Sequence, residues 1–226
     1  MKNTNIILNN TAMKYLHLLE DFFGKIAWSP RHDATSELIF TILTQHTSDK
    51  NAEKAYNLLI QSIDNWQDIL SISIDKLKLL INSAGLYNQK AIRIIDTIRY
   101  IHEYNNNLNL SFLKKFDLNE ARKWLMDIPG IGPKTASVVL AFSLGMPAIP
   151  VDTHVYRVSK RLRLLDEKVS ADNAHVLLEN QVVEDKRYSF HVLFIKHGRE
   201  ICKARRPLCY TCPLGEVCPS KEFLSS

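Results

Sequence analysis

The chain has 226 residues, 46% of them hydrophobic and 23% charged, which is enough for one or two compact domains with real cores. No apolar run approaches the roughly 18 residues a membrane helix needs, and the Ile6-Ile7-Leu8 patch is too short for a secretory signal and has no small-residue cleavage site after it, so a cytoplasmic protein is expected. A net charge of +5 mildly favours a polyanionic partner without naming one.

Glycine is scarce, at seven residues, no alternating strand pattern stands out, and helical signals repeat along the chain. The expected fold class is therefore all-α, with no internal repeat and no low-complexity tail. Asp33 to Ser36 offers caps ahead of a buried helix, Glu37 to Leu43. Ser48 can cap the next helix, with Ala52, Ala55, Tyr56, Leu59 and Ile60 on one face. Shorter helices are expected over 65–71 and 74–82, ended by Gly85. Another runs from about Asn88 to Tyr104, where three asparagines break it. Asp117 to Glu120 has the pattern of a capping box for a helix ending near Ile128. Further helices are expected over 133–144, from Asp152 or Thr153 to about Leu164, from Ser170 to about 183, and from Arg187 to Glu200. The segment after that is expected to be loop. Trp28, Trp66 and Trp124 are expected in the core.

Residues 125–137 read Leu-Met-Asp-Ile-Pro-Gly-Ile-Gly-Pro-Lys-Thr-Ala-Ser. Gly130 and Gly132 permit a tight turn with exposed amides, and Pro133 suits a first helical position. Such a turn is either a plain helix connection or a phosphate cradle that reads no base sequence. Lys134 then falls in the first turn of a helix, where the dipole disfavours a cation. It is a solvated lysine, a phosphate contact, or an amine nucleophile helped to lose its proton. Asp152 is at least an N-cap, and a cap fixes a carboxylate's direction, which catalysis also needs.

All four cysteines, Cys202, Cys209, Cys212 and Cys218, cluster near the C-terminus as C-x6-C-x2-C-x5-C. That clustering points to a metal centre rather than a disulfide framework. Four thiolates suit zinc or an iron–sulfur cubane, although zinc sites usually show two C-x2-C knuckles and only one is present. Lys203, Arg205 and Arg206 lie between the first two ligands and would make a phosphate clamp or a solvated loop. Lys160, Arg161 and Arg163 form a basic cluster, equally suited to solvent or a polyanion. His154 is expected to be structural, and His191 and His197 carry no assigned chemistry.

Pro-Gly-Ile-Gly-Pro-Lys-Thr-Ala at 129–136 followed by Val-Asp-Thr-His at 151–154 resembles the helix-hairpin-helix DNA glycosylases. The cysteine spacing is similar to that of the endonuclease III branch, where it holds one [4Fe–4S] cluster. Ala84 to Lys90 resembles that family's minor-groove wedge loop, with Leu86 as the wedge. Leu43 to Asp49 resembles the segment that fills the void left by a flipped nucleotide. Here His46 stands where the best-known members carry glutamine, and Gln45 is its neighbour, so either is a candidate. Pro133 replaces a basic residue common in the family.

The resemblance implies two helical domains flanking a DNA-binding cleft: a six-helix barrel at 29–137 ending in the hairpin, and a discontinuous domain of 1–28 and 138–226 carrying the cluster. It implies a nucleoid-associated monomer acting on double-stranded DNA with damaged bases or AP sites. It also implies a bifunctional glycosylase and AP lyase in base excision repair. Lys134 forms a Schiff base, Asp152 stabilises the sugar cation, and β-elimination nicks the strand. Oxidised pyrimidines are the expected substrates, with uracil or thymine mismatches, pyrimidine dimers and bare AP sites as alternatives. The competing readings are a monofunctional glycosylase for mismatched or alkylated bases and a non-catalytic iron–sulfur DNA-binding protein. Adenine-mismatch enzymes usually lack a lysine at position 134 and carry a further C-terminal domain, which the stretch Pro219–Ser226 is not expected to supply.

Overall fold

The computed structural model describes residues 2–224, with side chains for 10–222. Among the described residues the chain is helical and has no strand, and no helix is long and apolar enough to cross a membrane. It divides into two compact units, one of Pro30–Met146 and one of Met1–Ser29 with Pro147–Ser226. A boundary after residue 137 would cut the helix Pro133–Phe142, whose second half is buried in the first of these units, so the change of unit comes after Met146 instead.

The N-terminal helix α1 (Lys2–Phe23) belongs to the second unit and buries Ala12, Tyr15, Leu16 and Leu19 at helical spacing. The unit Pro30–Met146 then holds α2 (Ala34–Thr44), α3 (Asp49–Gln61), α4 (Ile74–Leu80), α5 (Tyr87–Tyr104), α6 (Leu118–Met126) and α7 (Pro133–Phe142). Short 3-10 helices at Trp66–Leu70, Asn82–Ala84 and Leu110–Lys115 join them; the last was not evident in the sequence. The remainder of the second unit is α8 (Thr153–Arg161), α9 (Ala171–Glu179), α10 (Arg187–Glu200) and a terminal turn, α11 (Lys221–Leu224).

Helix α2 is buried nearly all round and lies at the centre of its unit, packed on α3, α5 and α7. Asp33 caps it as expected, accepting from the amides of Thr35 and Ser36. Glu37 is fully buried on α2 and paired with Arg31, whose guanidinium also covers Phe40 and Phe142. Ile60 departs from its expected buried face and is 40% exposed. The tryptophans depart too: Trp28 is 41% exposed, while Trp66 and Trp124 are only half-buried. Trp66 keeps its indole N–H on Ser36 Oγ, 3.0 Å away, and Trp124 joins an aromatic cluster with Tyr100, Tyr104 and Phe112.

In the other unit α10 is central. Phe190 and Phe194 stack with centroids 3.8 Å apart and pack with α1, α8 and α9. Helix α8 stops at Arg161 rather than near Leu164, and Arg163 adopts a left-handed conformation that breaks it. Helix α9 stops at Glu179, where Gln181 folds back to donate to the carbonyls of Leu177 and Leu164.

The capping box of α6 is present as the sequence implies: Asp117 accepts from Asn119 and Glu120 amides at 2.8 and 2.9 Å, and Glu120 returns a bond to the Asp117 amide. Asp117→Ala should lower stability by about 1 kcal/mol, as loss of an N-cap typically does; urea denaturation followed by circular dichroism measures it.

Candidate DNA-binding and catalytic site

The hairpin joins α6 to α7. Gly130 has φ +82°, a left-handed conformation, and the Arg93 side chain lies so close above it that no Cβ would fit. Gly132 is the N-cap of α7 in extended backbone, and Pro133 takes the first helical position. Ile131 is buried and closes the turn by donating to the Ile128 carbonyl. Among the described residues the amides of Gly130, Gly132 and Lys134 take no hydrogen bond. They lie at the positive end of α7 without a side-chain cap, donors that an anion could use. Lys134 stands exposed in the first turn of α7 and forms no ion pair among the described residues.

Beside the hairpin, Gln45 is half-buried and held at both ends of its amide. Its Oε1 accepts from Arg93, and its Nε2 donates to Thr135 Oγ1 at 3.4 Å. His46, the next residue, is exposed and left-handed with φ +54°. Leu86 is the same in kind: half-exposed, at φ +46°, N-terminal to α5. A non-glycine residue in this conformation costs about 1–2 kcal/mol. Two exposed ones at loop tips are the sort of strain that accumulates at functional sites.

Asp152 caps α8 in the other unit. Its Oδ1 accepts from the amides of His154 and Val155 at 2.8 and 2.7 Å, and Oδ2 has no partner among the described residues. The approach to Asp152 is pinned by side chains that sequence reasoning left without a role. Arg187 donates to the Pro147 carbonyl at 2.9 Å, the Ile149 amide donates to Glu179 at 2.9 Å, and His191 Nδ1 lies 2.7 Å from the Pro150 carbonyl. A carbonyl can only accept, so His191 carries its proton on Nδ1. His154, next but one to Asp152 in the chain, has its Nδ1 3.3 Å from the Arg157 guanidinium.

The four cysteines are free thiols lining one pocket, with Arg161, Leu162, His197, Leu208 and Leu214. Among the described residues no three His, Cys, Asp or Glu side chains come close enough to hold a single metal ion. Zinc would draw its four sulfurs to about 2.3 Å from one centre. Four thiolates lining one pocket are also a donor set for a multi-iron group, in which each thiolate takes its own iron. Burial pushes the Cys212 thiol up to about 11, with the three other sulfurs adding to it. Four thiolates would thus need a strongly positive partner in their midst. Gly215 lets the chain close over them, because a Cβ there would meet the carbonyls of Cys212 and Cys209 at 3.1 and 3.2 Å. His197 Nε2 lies 3.8 Å from Cys212 Sγ.

Lys203, Arg205 and Arg206 are all exposed on the loop after Cys202. The basic cluster of α8 splits. Arg161 donates to the Lys203 and Ala204 carbonyls at 2.8 and 3.1 Å and lies 3.3 Å from Cys202 Sγ, so it holds the loop from inside. Arg157 does likewise through the Gly198 and Cys202 carbonyls. Lys160 donates to the Glu167 carbonyl, and Arg163 remains exposed.

Residues 39–182 match the model of the HhH-GPD superfamily of base excision DNA repair proteins. Endonuclease III of Rickettsia felis is 36% identical over 208 residues, 88% of this chain and 91% of that protein. Endonuclease III of Escherichia coli K12 is 33% identical over 185 residues, 82% of this chain and 83% of that one. The chain belongs to the endonuclease III family. A solved trapped endonuclease III–DNA covalent intermediate, an estranged-adenine complex, superposes on this endonuclease III family member with a TM-score of 0.81 at 29% identity, covering 95% of this chain and 97% of that one. A thermostable thymine-DNA glycosylase shares the fold, with a TM-score of 0.77 at 23% identity over 95% and 98% of the two chains. The protein is accordingly a DNA-binding glycosylase of base excision repair.

The two hairpin glycines separate cleanly in a test. Gly130→Ala should cost about 1–2 kcal/mol or more through left-handed strain and displacement of Arg93, with a matching loss of duplex affinity. Gly132→Ala has open space and ordinary backbone, so denaturation midpoints should barely move.

Proposed function

We propose that this glycosylase is bifunctional: it removes damaged bases, with oxidised pyrimidines as its principal substrates, and then cuts the strand as an AP lyase. The observation that carries this reading is an exposed lysine in the first turn of α7, immediately after a turn whose free amides suit a phosphate. It occurs in a family with a member that has been trapped as a covalent DNA intermediate. Lys134 attacks C1′ as a neutral amine. The glycosidic bond breaks, its electron pair leaves with the base, and the base takes a proton. The sugar ring opens to a Schiff base on Lys134. Loss of a C2′ proton then expels the 3′ phosphate by β-elimination. Asp152 stabilises the sugar cation with a carboxylate whose direction is fixed by two amides.

Before that chemistry the target nucleotide must leave the stack. Leu86 wedges into the duplex, and His46, rather than the tethered Gln45, fills the vacated space. Lys203, Arg205 and Arg206 contact phosphates, and the protein acts as a monomer. Cys202, Cys209, Cys212 and Cys218 hold one [4Fe–4S] cluster per chain, which ties the basic loop to the fold.

Two measurements test this. Lys134→Gln should abolish borohydride trapping even on a preformed AP site while duplex binding persists. Asp152→Asn keeps a capping oxygen and should slow base release by roughly 10²-fold, the scale of a lost electrostatic contact in a dry site. A trapped adduct with Lys134→Gln would assign the nucleophile elsewhere. A monofunctional glycosylase would release base with no trap in the unaltered protein. Separately, anaerobically purified protein should carry about four irons per chain. Cys209→Ser should lower that content and weaken duplex affinity, and stoichiometric zinc in place of iron would overturn the cluster assignment.

A further inference from the structure

Lys90 is among the largest fully buried side chains of the described residues, at 2% exposure, and it carries an ammonium. It lies in the first turn of α5, within the run Ala84 to Lys90, where the helix dipole disfavours a cation. Instead it points inward. Its Nζ donates to the Leu43 carbonyl and to the Ala84 carbonyl, each at 2.8 Å. Burial, reinforced by Arg93, lowers its pKa to about 8. A buried cation is costly unless it is hydrogen-bonded, and an apolar side chain of the same length would fill the space more cheaply.

The two acceptors are what make the position informative. Leu43 lies in the last turn of α2, and Ala84 ends the 3-10 helix Asn82–Ala84. Both carbonyls sit at the negative ends of helices, where intrahelical partners run out. Shortly after each, the chain reaches an exposed left-handed residue: His46 after Leu43, and Leu86 after Ala84. One ammonium therefore holds the roots of both loops whose tips carry strained, solvent-facing side chains. Ser83 adds a second tie by donating to the Asn51 carbonyl at 3.1 Å. One turn further along α5, Arg93 holds Gln45 and covers Gly130.

We infer that Lys90 is a positioning residue for nucleotide flipping: by binding the Leu43 and Ala84 carbonyls together it sets the separation of His46 and Leu86, and it makes no contact with DNA. This rests on the reading of those two residues as the ones that enter the duplex. Free to drift apart, the two tips could not press on one base step at the same moment. Phosphate binding elsewhere on the protein would be undisturbed.

Lys90→Met keeps the length and removes the donors. Its affinity for undamaged duplex and the dependence of that affinity on salt should match the unaltered enzyme. Flipping, followed by 2-aminopurine fluorescence beside a lesion, should fall together with kcat by about tenfold or more, with KM little changed. The same lesion opposite an abasic site is already unpaired and should be released within about threefold of the normal rate, because little unpairing energy remains to be supplied. A drop of about 0.9 in the salt slope would make Lys90 a phosphate ligand and overturn the inference. So would equal losses on paired and unpaired lesions, or no loss on either. If Lys90→Met does not fold, hydrogen exchange on the unaltered protein decides: the amides of Gln45 and Gly85 should open at a common rate, and rates differing by more than about tenfold would refute a shared anchor. Should His46→Gly and Leu86→Gly leave flipping intact in the unaltered background, the reading of the loop tips fails. A normal Lys90→Met beside impaired tip variants sinks the inference alone.

Discussion

A helix end leaves backbone groups without partners, and a chain built of many short helices must find partners for all of them. Asp33, Ser48 and Asp117 do this as ordinary N-caps. The groups with chemical potential sit at the same kind of place. Asp152 caps α8, the hairpin amides open α7 without a cap, and Lys90 serves two C-terminal carbonyls at once. Arg157 and Arg161 take up the carbonyls of Gly198, Cys202, Lys203 and Ala204 where α10 runs out. Where a terminus is satisfied internally the structure is rigid. Where it is left open, as at Gly132 and Lys134, it can accept a ligand.

Cations divide by the same logic. Lys90, Arg93, Arg157, Arg161 and Arg187 turn inward to carbonyls or side chains and set the backbone. Lys134, Lys203, Arg205 and Arg206 remain exposed and are available to a polyanion. A net charge of +5 does not distinguish these two populations. Only the second can release counterions on binding DNA.

The cysteine loop shows why a metal group and a fold segment depend on each other. Among the described residues the segment after α10 contains only short turns, with much of its order coming from Arg157, Arg161 and the Tyr15 hydroxyl on Val217. Buried thiols resist ionisation, and burial raises Cys218 as well as Cys212. A positively charged group among them would offset that cost and bind the loop's two ends, which is how metal binding becomes folding energy.

By itself the sequence determined what depends on near neighbours. The helical class, the caps at Asp33 and Asp117, the Gly130–Pro133 turn and the grouping of four cysteines all follow from residues a few positions apart, because propensity, capping and ligand spacing act at that range. Even Asp152 as an N-cap was legible, its partners lying two and three residues on. Tertiary structure decided the rest. Nothing near Lys90 in the chain announces that it reaches Leu43, 47 residues away, or that Arg93 reaches Gln45, 48 away. Helical periodicity put Ile60 inside and the tryptophans in the core, and packing left Ile60 and Trp28 more than a third exposed. Arg161 reads as a surface cation until the 203–204 carbonyls are seen beside it. For the long polar side chains the physical reason is common: each takes its role from whichever polar group the fold brings within about 3 Å, and that group is chosen by packing rather than by sequence.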